Sequence, residues 1–289
     1  MTDISAHTLR MWERRYGFPK PERTEGGARR YSDEDVQRLQ LITQAMGLGY
    51  RPNEVVPMAA DHLRDMVKRQ PTAADSVVTD MGDPVAEAVD AIRELDAHRV
   101  SEILQRAVAA VGARHFVTQV ADPLCTQIGA LWESGEVGVH QEHLLSEVLT
   151  TRLRALIAAY DTAQGRPRVL LATLPGELHG MGIQMAALYL ALSAALPRLL
   201  GVNTPIADIV EAARGFDAQV VALSVSLSAD QKDTQRHVEK LLDALPRRTE
   251  LWLGGAGAER LETGEATGVR LVHGWDNLDR ALSEWNAGR

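Results

Sequence analysis

The chain has 289 residues and a formal net charge of −8, with 45% hydrophobic and 24% charged side chains. This composition excludes a disordered or collagen-like chain, and the length predicts two or three domains. The single cysteine, Cys125, excludes a disulfide framework within one chain and fits a reducing compartment. Because neither a leader segment nor a bilayer-spanning apolar run is recognisable, we expect a cytoplasmic protein with no membrane partner.

The charge is distributed unevenly along the chain. Residues 1–70 carry 12 basic and 10 acidic side chains, a net charge of +2, whereas the remaining residues carry −10. A basic N-terminal segment on an acidic body indicates contact with phosphates.

The N-terminal segment, residues 1–68, predicts two helices with a hairpin between them. Ser5 to Tyr16 has the pattern of a helix that stops before a pair of prolines. Gly26-Gly27 supplies a turn, and Ser32 has the position of an N-cap for the second helix. Residues 69–84 break the periodicity with Pro, Ser, Thr and Gly, and predict a linker.

The remaining residues predict a helical region, 85–164, followed by an α/β region, 165–289. Four helical segments, which are typical of a four-helix bundle, are separable: 85–96, 98–111, 113–133 and 139–162. Continuously apolar strands alternating with helices predict a doubly wound, Rossmann-like parallel sheet. The strands are expected at 168–173, 198–202, 219–224, 250–253 and 269–272. The predicted fold class is therefore multidomain, α and α/β.

A histidine and a carboxylate follow the first strand of the predicted sheet. Glu177 and His179 stand two residues apart in the loop that connects this strand to the next helix. Ligands of such sheets bind beyond the carboxyl ends of the strands. An imidazole in this place can bind a metal, and a carboxylate on its other nitrogen fixes the tautomer.

Further residues after the strands keep a characteristic spacing. The sequence Glu177-x-His179-x-x-Gly182 is followed after 41 residues by Ser224-x-Ser226, and after a further 27 by Gly254-Gly255. This pattern resembles the signature of domains that bind cobalamin with a protein histidine in place of the cofactor's own base.

The resemblance implies a role for each matched position. His179 would be the lower axial ligand to cobalt, supported by Glu177. Ser226 stands where an apolar residue or threonine is usual, a change that we expect to affect the nucleotide tail more than the cobalt. The positions implied to accommodate the displaced nucleotide tail are Gly182, Ser224, Ser226, Gly254 and Gly255.

The helical region carries a second motif. Trp132 is followed after nine residues by Glu142-His143, which resembles the cap of light-sensing cobalamin regulators of the CarH type. The resemblance implies that these three residues cover the upper face of the corrin, and it favours adenosylcobalamin. That family has a histidine directly after the tryptophan, which binds cobalt after illumination, and this chain has Glu133 there. His140 is a candidate upper ligand, or alternatively a solvated surface residue.

The N-terminal segment resembles the winged helix-turn-helix of MerR-family transcription regulators. The likeness rests on Ile4–Gly17, Pro19–Tyr31 and Ser32–Asp35. It implies that residues 5–16 form a recognition helix with Leu9, Trp12 and Tyr16 turned inward. The family's additional first helix has no counterpart before Ile4, so either the start is assigned too late or the domain is truncated. The residues implied to contact operator DNA are His7, Thr8, Arg10 and Arg14 on the helix, and Arg29, Arg30 and Tyr31 in the wing.

Together the motifs predict a cobalamin-binding, light-responsive transcription regulator and not an enzyme. In the resembling family the adenosyl form assembles in the dark into a tetramer on operator DNA, and light disassembles it, so we expect self-association to a dimer or tetramer. The alternatives are a corrinoid methyl-carrier component of a methyltransferase, a sensor of cobalamin level, and a sensor of a second or different tetrapyrrole such as a bilin. A recognition helix argues against the methyl carrier.

Overall fold

The chain divides into two compact units, each described by itself. The first contains residues 1–84 and 107–116, and the second contains residues 85–106 and 117–289. The structure is a computed structural model and describes residues 6–23, 29–47, 55–63, 82–160, 165–262 and 268–287. In these ranges no helix is long and apolar enough to cross a membrane.

In the N-terminal part of the first unit, helices and a short hairpin surround an apolar core. The helices are α1 (Ala6–Tyr16) and α2 (Asp33–Gly47), and the antiparallel hairpin pairs β1 (Glu22–Arg23) with β2 (Arg29–Arg30). Ser32 Oγ accepts a hydrogen bond of 3.1 Å from the backbone N–H of Asp35, which confirms the predicted N-cap. The core includes Leu9, Trp12, Phe18, Leu39, Ile42, Val55, Val56 and Leu63. The predicted Gly26-Gly27 turn and most of the predicted linker lie outside the described residues.

The helical region contains α3 (Pro84–Arg93), α4 (Ala97–His115), α5 (Asp122–Glu133) and α6 (Val139–Tyr160). Gly112 interrupts α4 with φ 77° and ψ 162°, a conformation that favours glycine, so the predicted break is confirmed. The continuous helix predicted over 113–133 is wrong in detail, because Phe116–Ala121 forms a π-helical turn. Helix α6 packs against α5.

The α/β region has a five-stranded parallel sheet, as predicted. Its strands are β3 (Arg168–Ala172), β4 (Leu196–Gly201), β5 (Val220–Ser224), β6 (Glu250–Gly254) and β7 (Val269–Val272), in the order β4-β3-β5-β6-β7. The helices between and after them are α7 (Met181–Leu192), α8 (Ile206–Gly215), α9 (Gln231–Ala244) and α10 (Gly274–Ala287). The inner strands are continuous apolar runs in the sequence because both of their faces are buried.

The strand order places a crevice between β3 and β5. The chain leaves β3 for β4 on one side and later returns to β5 on the other, so the loops after β3 and β5 diverge at the carboxyl edge. Helix α7 follows the β3 loop and packs against α6. Trp275 of α10 stacks on Tyr189 of α7, with ring centroids 5.0 Å apart, and donates from Nε1 to Asp122 Oδ2 of α5 at 2.9 Å. These contacts hold the start of α5 beside the sheet.

Candidate functional site

The loop after β3 presents a histidine in a fixed orientation. His179 Nδ1 lies 2.7 Å from Glu177 Oε1, and the backbone N–H of His179 donates to the same oxygen at 2.9 Å. The His179 side chain is 64% exposed, whereas that of Glu177 is 6% exposed. With Nδ1 engaged by a carboxylate, the neutral imidazole keeps its proton there and its Nε2 lone pair is available to a metal.

The second oxygen of the Glu177 carboxylate is held by Ser226. The backbone N–H of Ser226 donates to Oε2 at 2.9 Å and its hydroxyl donates at 2.6 Å. Burial alone would raise the pKa of Glu177, but the hydrogen bonds from Ser226 and His179 outweigh it and lower the pKa below its usual value. The structure thus places the Ser226 hydroxyl on the carboxylate that supports the candidate cobalt ligand, which the sequence pattern did not predict.

Buried hydrogen bonds fix the backbone of the same loop. Thr173, which follows β3 and is fully buried, donates from Oγ1 to the Glu177 carbonyl at 2.7 Å. Asn203, in the loop after β4, donates its N–H to this carbonyl at 3.0 Å and accepts from Gly176 N–H through Oδ1 at 2.8 Å. The loop is therefore preorganised by two residues that lie outside the motif.

Two glycines pack closely beside Ser224. A Cβ on Gly182 would lie 2.5 Å from Ser224 Oγ. A Cβ on Gly255, which has φ +86°, would lie 2.3 Å from the Val225 carbonyl oxygen and 3.1 Å from Ser224 Oγ. Gly254 is also close-packed, since its Cβ would lie 3.1 Å from the Val272 carbonyl oxygen. A side chain at Gly182 or Gly255 would therefore displace Ser224 or the backbone beside it.

Exposed apolar side chains surround the histidine loop. Leu178, next to His179, is 68% exposed, and Leu227, after β5, is 52% exposed. Val202, after β4, lies against the loop, because a Cβ on Gly180 would be 2.7 Å from its Cγ1. Exposed apolar surface of this kind marks a binding site for an apolar group.

The helical motif is also exposed. Trp132, in the last turn of α5, is 48% exposed, which is not expected of a helix-core residue. In the first turn of α6, His143 Nδ1 lies 2.7 Å from Glu142 Oε2, and Ser146 Oγ donates to Glu142 Oε1 at 2.7 Å. These side chains stay candidates for the upper face of a ligand.

Two further positions at this end of the helical region were singled out from the sequence. Glu133, the last residue of α5, and His140, the second residue of α6, are both exposed. The His140 ring lies against Gly138, whose Cβ would be 2.7 Å from His140 Cε1. Their part in a cobalt site stays a prediction.

A metal centre built from several protein ligands is not found among the described residues, where no three His, Cys, Asp or Glu side chains gather. Cys125 is unsuited to bind metal as a thiolate, because burial, together with Asp122 and Glu142 nearby, raises its pKa to about 12. His179 with its carboxylate is the arrangement expected of a single axial ligand to a metal that a macrocycle already holds.

Helix α1 has one face turned into the core of the first unit. Leu9 and Trp12 are buried and Tyr16 packs against the same core, as predicted. Arg14 is exposed. The other helix positions predicted to contact DNA have side chains outside the described part of the structure: His7, Thr8 and Arg10.

The predicted wing residues have three different surroundings. Arg29 donates from Nε to Glu13 Oε2 at 3.0 Å, which ties β2 to α1. Arg30 is exposed, whereas Tyr31 packs partly against the core. Arg29 therefore has a structural contact in addition to its predicted contact with phosphate.

Comparison with known proteins identifies the family. Residues 1–61 match the family described as MerR HTH family regulatory protein, and residues 85–157 and 167–277 match two families, each described as B12 binding domain. The chain is 32% identical to the HTH-type transcriptional repressor CarH of Myxococcus xanthus over 97% of this chain and 94% of that protein. The chain belongs to this family of MerR-type, cobalamin-binding transcription regulators.

Two further comparisons agree with this family. The HTH-type transcriptional repressor CarA of Myxococcus xanthus is 27% identical over 100% of this chain and 94% of that protein. The structure of Methanosarcina barkeri monomethylamine corrinoid protein aligns with a TM-score of 0.50 at 20% identity, over 68% of this chain and 96% of that one. The second likeness shows a shared fold.

In this MerR-type, cobalamin-binding chain the structure brings the predicted residues together in two groups. Glu177, His179 and Ser226 share hydrogen bonds, and Gly182 and Gly255 both lie close to Ser224. Sequence reasoning missed the residues that support the loop, Thr173 and Asn203. A buried threonine directly after an apolar strand was the signal available for Thr173.

Proposed function

We propose that the protein is a cobalamin-dependent, light-responsive transcription regulator whose self-association and DNA binding depend on the group above the cobalt. The observation that carries this proposal is the fixed Glu177–His179 pair at the carboxyl edge of the parallel sheet, in a chain that also has a MerR-type segment. Bound adenosylcobalamin supplies a cobalt–carbon bond that light can break. The protein acts as a regulator in the cytoplasm and not as an enzyme.

The sheet edge would hold the lower side of the cofactor. His179 Nε2 is the ligand for cobalt, and Glu177 keeps the other ring nitrogen protonated. Gly182 and the Gly254-Gly255 pair, where a Cβ would meet neighbouring atoms, would let the nucleotide tail approach the backbone, and Ser224 would donate to it. Leu178 and Leu227, with their exposed side chains, supply apolar contact to the corrin.

The helical region would cover the upper side. Trp132 shields the upper ligand from water, and Glu142 and His143 hydrogen-bond its polar groups. The exposed indole at the end of α5 and the oriented imidazole at the start of α6 support these roles.

The N-terminal segment would bind operator DNA. His7, Thr8, Arg10 and Arg14 on α1 read the major groove, and Arg30 with Tyr31 follows the phosphates. The exposure of Arg14 and Arg30 supports this assignment. One short recognition helix reads one half-site, so a dimer or tetramer is expected on DNA.

One experiment tests the whole proposal. The full chain is loaded with adenosylcobalamin in the dark, and its absorption spectrum, its size by multi-angle light scattering and its binding to its own upstream DNA are measured before and after green light. We expect a histidine-ligated adenosyl spectrum, an oligomer and DNA binding in the dark, all of which change on illumination. His179→Ala is the matched control that should lose the dark spectrum.

The outcomes also separate the alternatives. An adenosyl complex stable in light, with unchanged size, would favour a sensor of cobalamin level. Methyl transfer to an added corrinoid methyltransferase partner, without DNA binding, would favour the methyl carrier. A bilin extracted from the purified protein in place of cobalamin would favour the other tetrapyrrole.

A further inference from the structure

One apolar side chain on α1 is exposed and has no part in the contacts described above. Met11 is 45% exposed, and among the residues of the first unit that the structure describes it is the one exposed large hydrophobic side chain. Isolated exposed apolar side chains are common on protein surfaces. The surroundings of Met11 therefore decide whether it has a role.

The helix places Met11 on a basic face. Side chains three and four residues apart are neighbours on a helix, so Met11 lies beside Arg14 and Arg15, both of which are exposed. Leu9 and Trp12 are buried in the core on the other side of the helix. The exposed face of α1 thus combines one apolar group with two positive charges.

The single acidic residue of α1 is already paired. Glu13 Oε2 accepts a hydrogen bond of 3.0 Å from Arg29 Nε, and this ion pair compensates its charge. A helix face whose remaining charges are positive attracts the phosphates of a DNA duplex and brings its other side chains to the edges of the bases.

The chemistry of the methionine side chain limits what it can recognise there. Its thioether has no hydrogen-bond donor and is only a weak acceptor, so contact with a phosphate or with a polar base edge would leave that group without a partner, at a cost in free energy. The major groove offers one apolar group at the base edges, the C5-methyl group of thymine. A flexible and polarisable methionine side chain suits such a contact.

We infer that Met11 is a specificity-determining residue that contacts the methyl group of a thymine in the major groove of the operator. This inference rests on the proposed function, because it requires α1 to be the helix that enters the groove. It adds to that function a preference for thymine over cytosine at one position of each half-site.

The first test removes the methyl group from the DNA. A nuclease footprint locates the region of the upstream duplex that the full chain protects in the dark with adenosylcobalamin bound, and each thymine of that region is then replaced in turn by deoxyuridine. Fluorescence anisotropy measures the affinity for each duplex. Because one buried methyl group is lost, binding should weaken roughly 4-fold at the contacted thymine.

Two variants assign that difference to Met11. Met11→Ala should bind the thymine and deoxyuridine duplexes equally at this position, whereas Met11→Leu, which is apolar and similar in volume, should keep the difference. Differences that all persist in Met11→Ala would overturn the inference. A change in oligomer size in Met11→Ala, without any change in the effect of deoxyuridine, would overturn it as well and show that a second copy of the chain covers Met11.

The second test is the salt dependence of DNA binding, which distinguishes an apolar contact from a charged one. Met11→Ala should leave the slope of log affinity against log salt concentration unchanged, because no charge is lost. Arg14→Ala should reduce the steepness of that slope by about one and keep the preference for thymine over deoxyuridine. A shallower slope in Met11→Ala would mean that the helix has moved away from the phosphates, and would contradict a direct contact with the methyl group.

The matched control is Leu271→Ala on β7, because Leu271 is also 45% exposed. This variant should leave the DNA affinity and the preference for thymine unchanged. A wild type that binds no DNA in the dark would refute the proposed function, whereas a wild type that binds DNA but tolerates deoxyuridine at every thymine would refute only the role of Met11.

Discussion

The Glu177–His179 pair in the loop after β3 and the Glu142–His143 pair on α6 have the same contacts at the imidazole. In both, Nδ1 lies 2.7 Å from a carboxylate oxygen, and a serine hydroxyl donates to the other oxygen. They differ in burial, because the side chain of Glu177 is 6% exposed and that of Glu142 is 37% exposed.

Because of this difference in burial, the contact of Glu177 with His179 is permanent, whereas that of Glu142 with His143 can be exchanged. Glu177 cannot turn without breaking four hydrogen bonds, two of them to backbone N–H groups, in a place where water replaces them poorly. Glu142 lies on a helix surface where water can take the place of His143 or Ser146. The first pair suits a ligand bond that is always present, and the second suits a group that is exchanged.

The largest effect is expected from removing the imidazole of each pair in turn. His179→Ala should weaken cobalamin binding by at least about 100-fold, the upper end of what an outer-shell loss costs a metal site, and abolish the histidine-ligated spectrum. His143→Ala should keep that spectrum and alter only the preference among upper ligands. Titration with hydroxocobalamin and adenosylcobalamin checks both variants, and circular dichroism checks the fold. A histidine-ligated spectrum in His179→Ala would refute the assignment.

A smaller loss is expected when a methyl group is added beside Ser224. In Gly182→Ala this group would lie 2.5 Å from Ser224 Oγ, so the hydroxyl must move. Overpacking of this kind costs about 1–3 kcal/mol of folding stability, and a penalty of that size on the cobalamin complex would weaken binding by roughly 5- to 150-fold. Isothermal titration measures the affinity. Gly215→Ala on α8, where a Cβ would meet nothing within 4 Å, is the matched control; equal affinities in the two variants would show that the ligand does not contact this position.

A change at Trp132 is expected to affect the binding of one form of cobalamin more than that of another. Trp132→Ala removes an exposed indole, and aromatic contacts are worth about 0.5–1.5 kcal/mol beyond their area. The affinity for adenosylcobalamin should therefore fall several-fold, while that for hydroxocobalamin changes little. Parallel titrations of the two forms decide this. An equal loss for both would mean that Trp132 supports the protein and not the upper ligand.

The surroundings of the Glu177–His179 pair could be predicted from the sequence more fully than those of the Glu142–His143 pair. Glu177, His179, Gly182 and Ser224 follow parallel strands, and strand order alone brings the ends of such strands to one edge, so their proximity could be predicted. The parallel sheet itself could also be predicted, because strands that are buried on both faces are continuous apolar runs in the sequence.

The hydrogen-bond partners could not be predicted in this way. Ser226 contacts Glu177, and Ser228 lies 3.4 Å from His179 Nδ1, because of the path of the loop after β5, which no local periodicity determines. The π-helical turn at Phe116–Ala121 has no sequence signal separate from that of an α-helix. The contact of Arg29 with Glu13 depends likewise on how the hairpin meets α1.

The smallest change in the dark is expected at Glu133, the exposed last residue of α5, since in the proposed dark state an adenosyl group would already occupy the upper side of cobalt. The absorption spectra of the wild type and of the Glu133 variant should differ only after illumination. A carboxylate is a poorer ligand than imidazole for a cobalt(III) corrin, so the illuminated wild type and His140→Ala should both show a spectrum with one histidine, and Glu133→His should show one with two. If the spectrum of the illuminated wild type shows two histidine ligands and that of His140→Ala shows one, His140 is the upper ligand instead. If they became one only in His143→Ala, the exchangeable Glu142–His143 pair would itself supply the upper ligand, because a half-exposed carboxylate can release its imidazole where the buried Glu177 cannot.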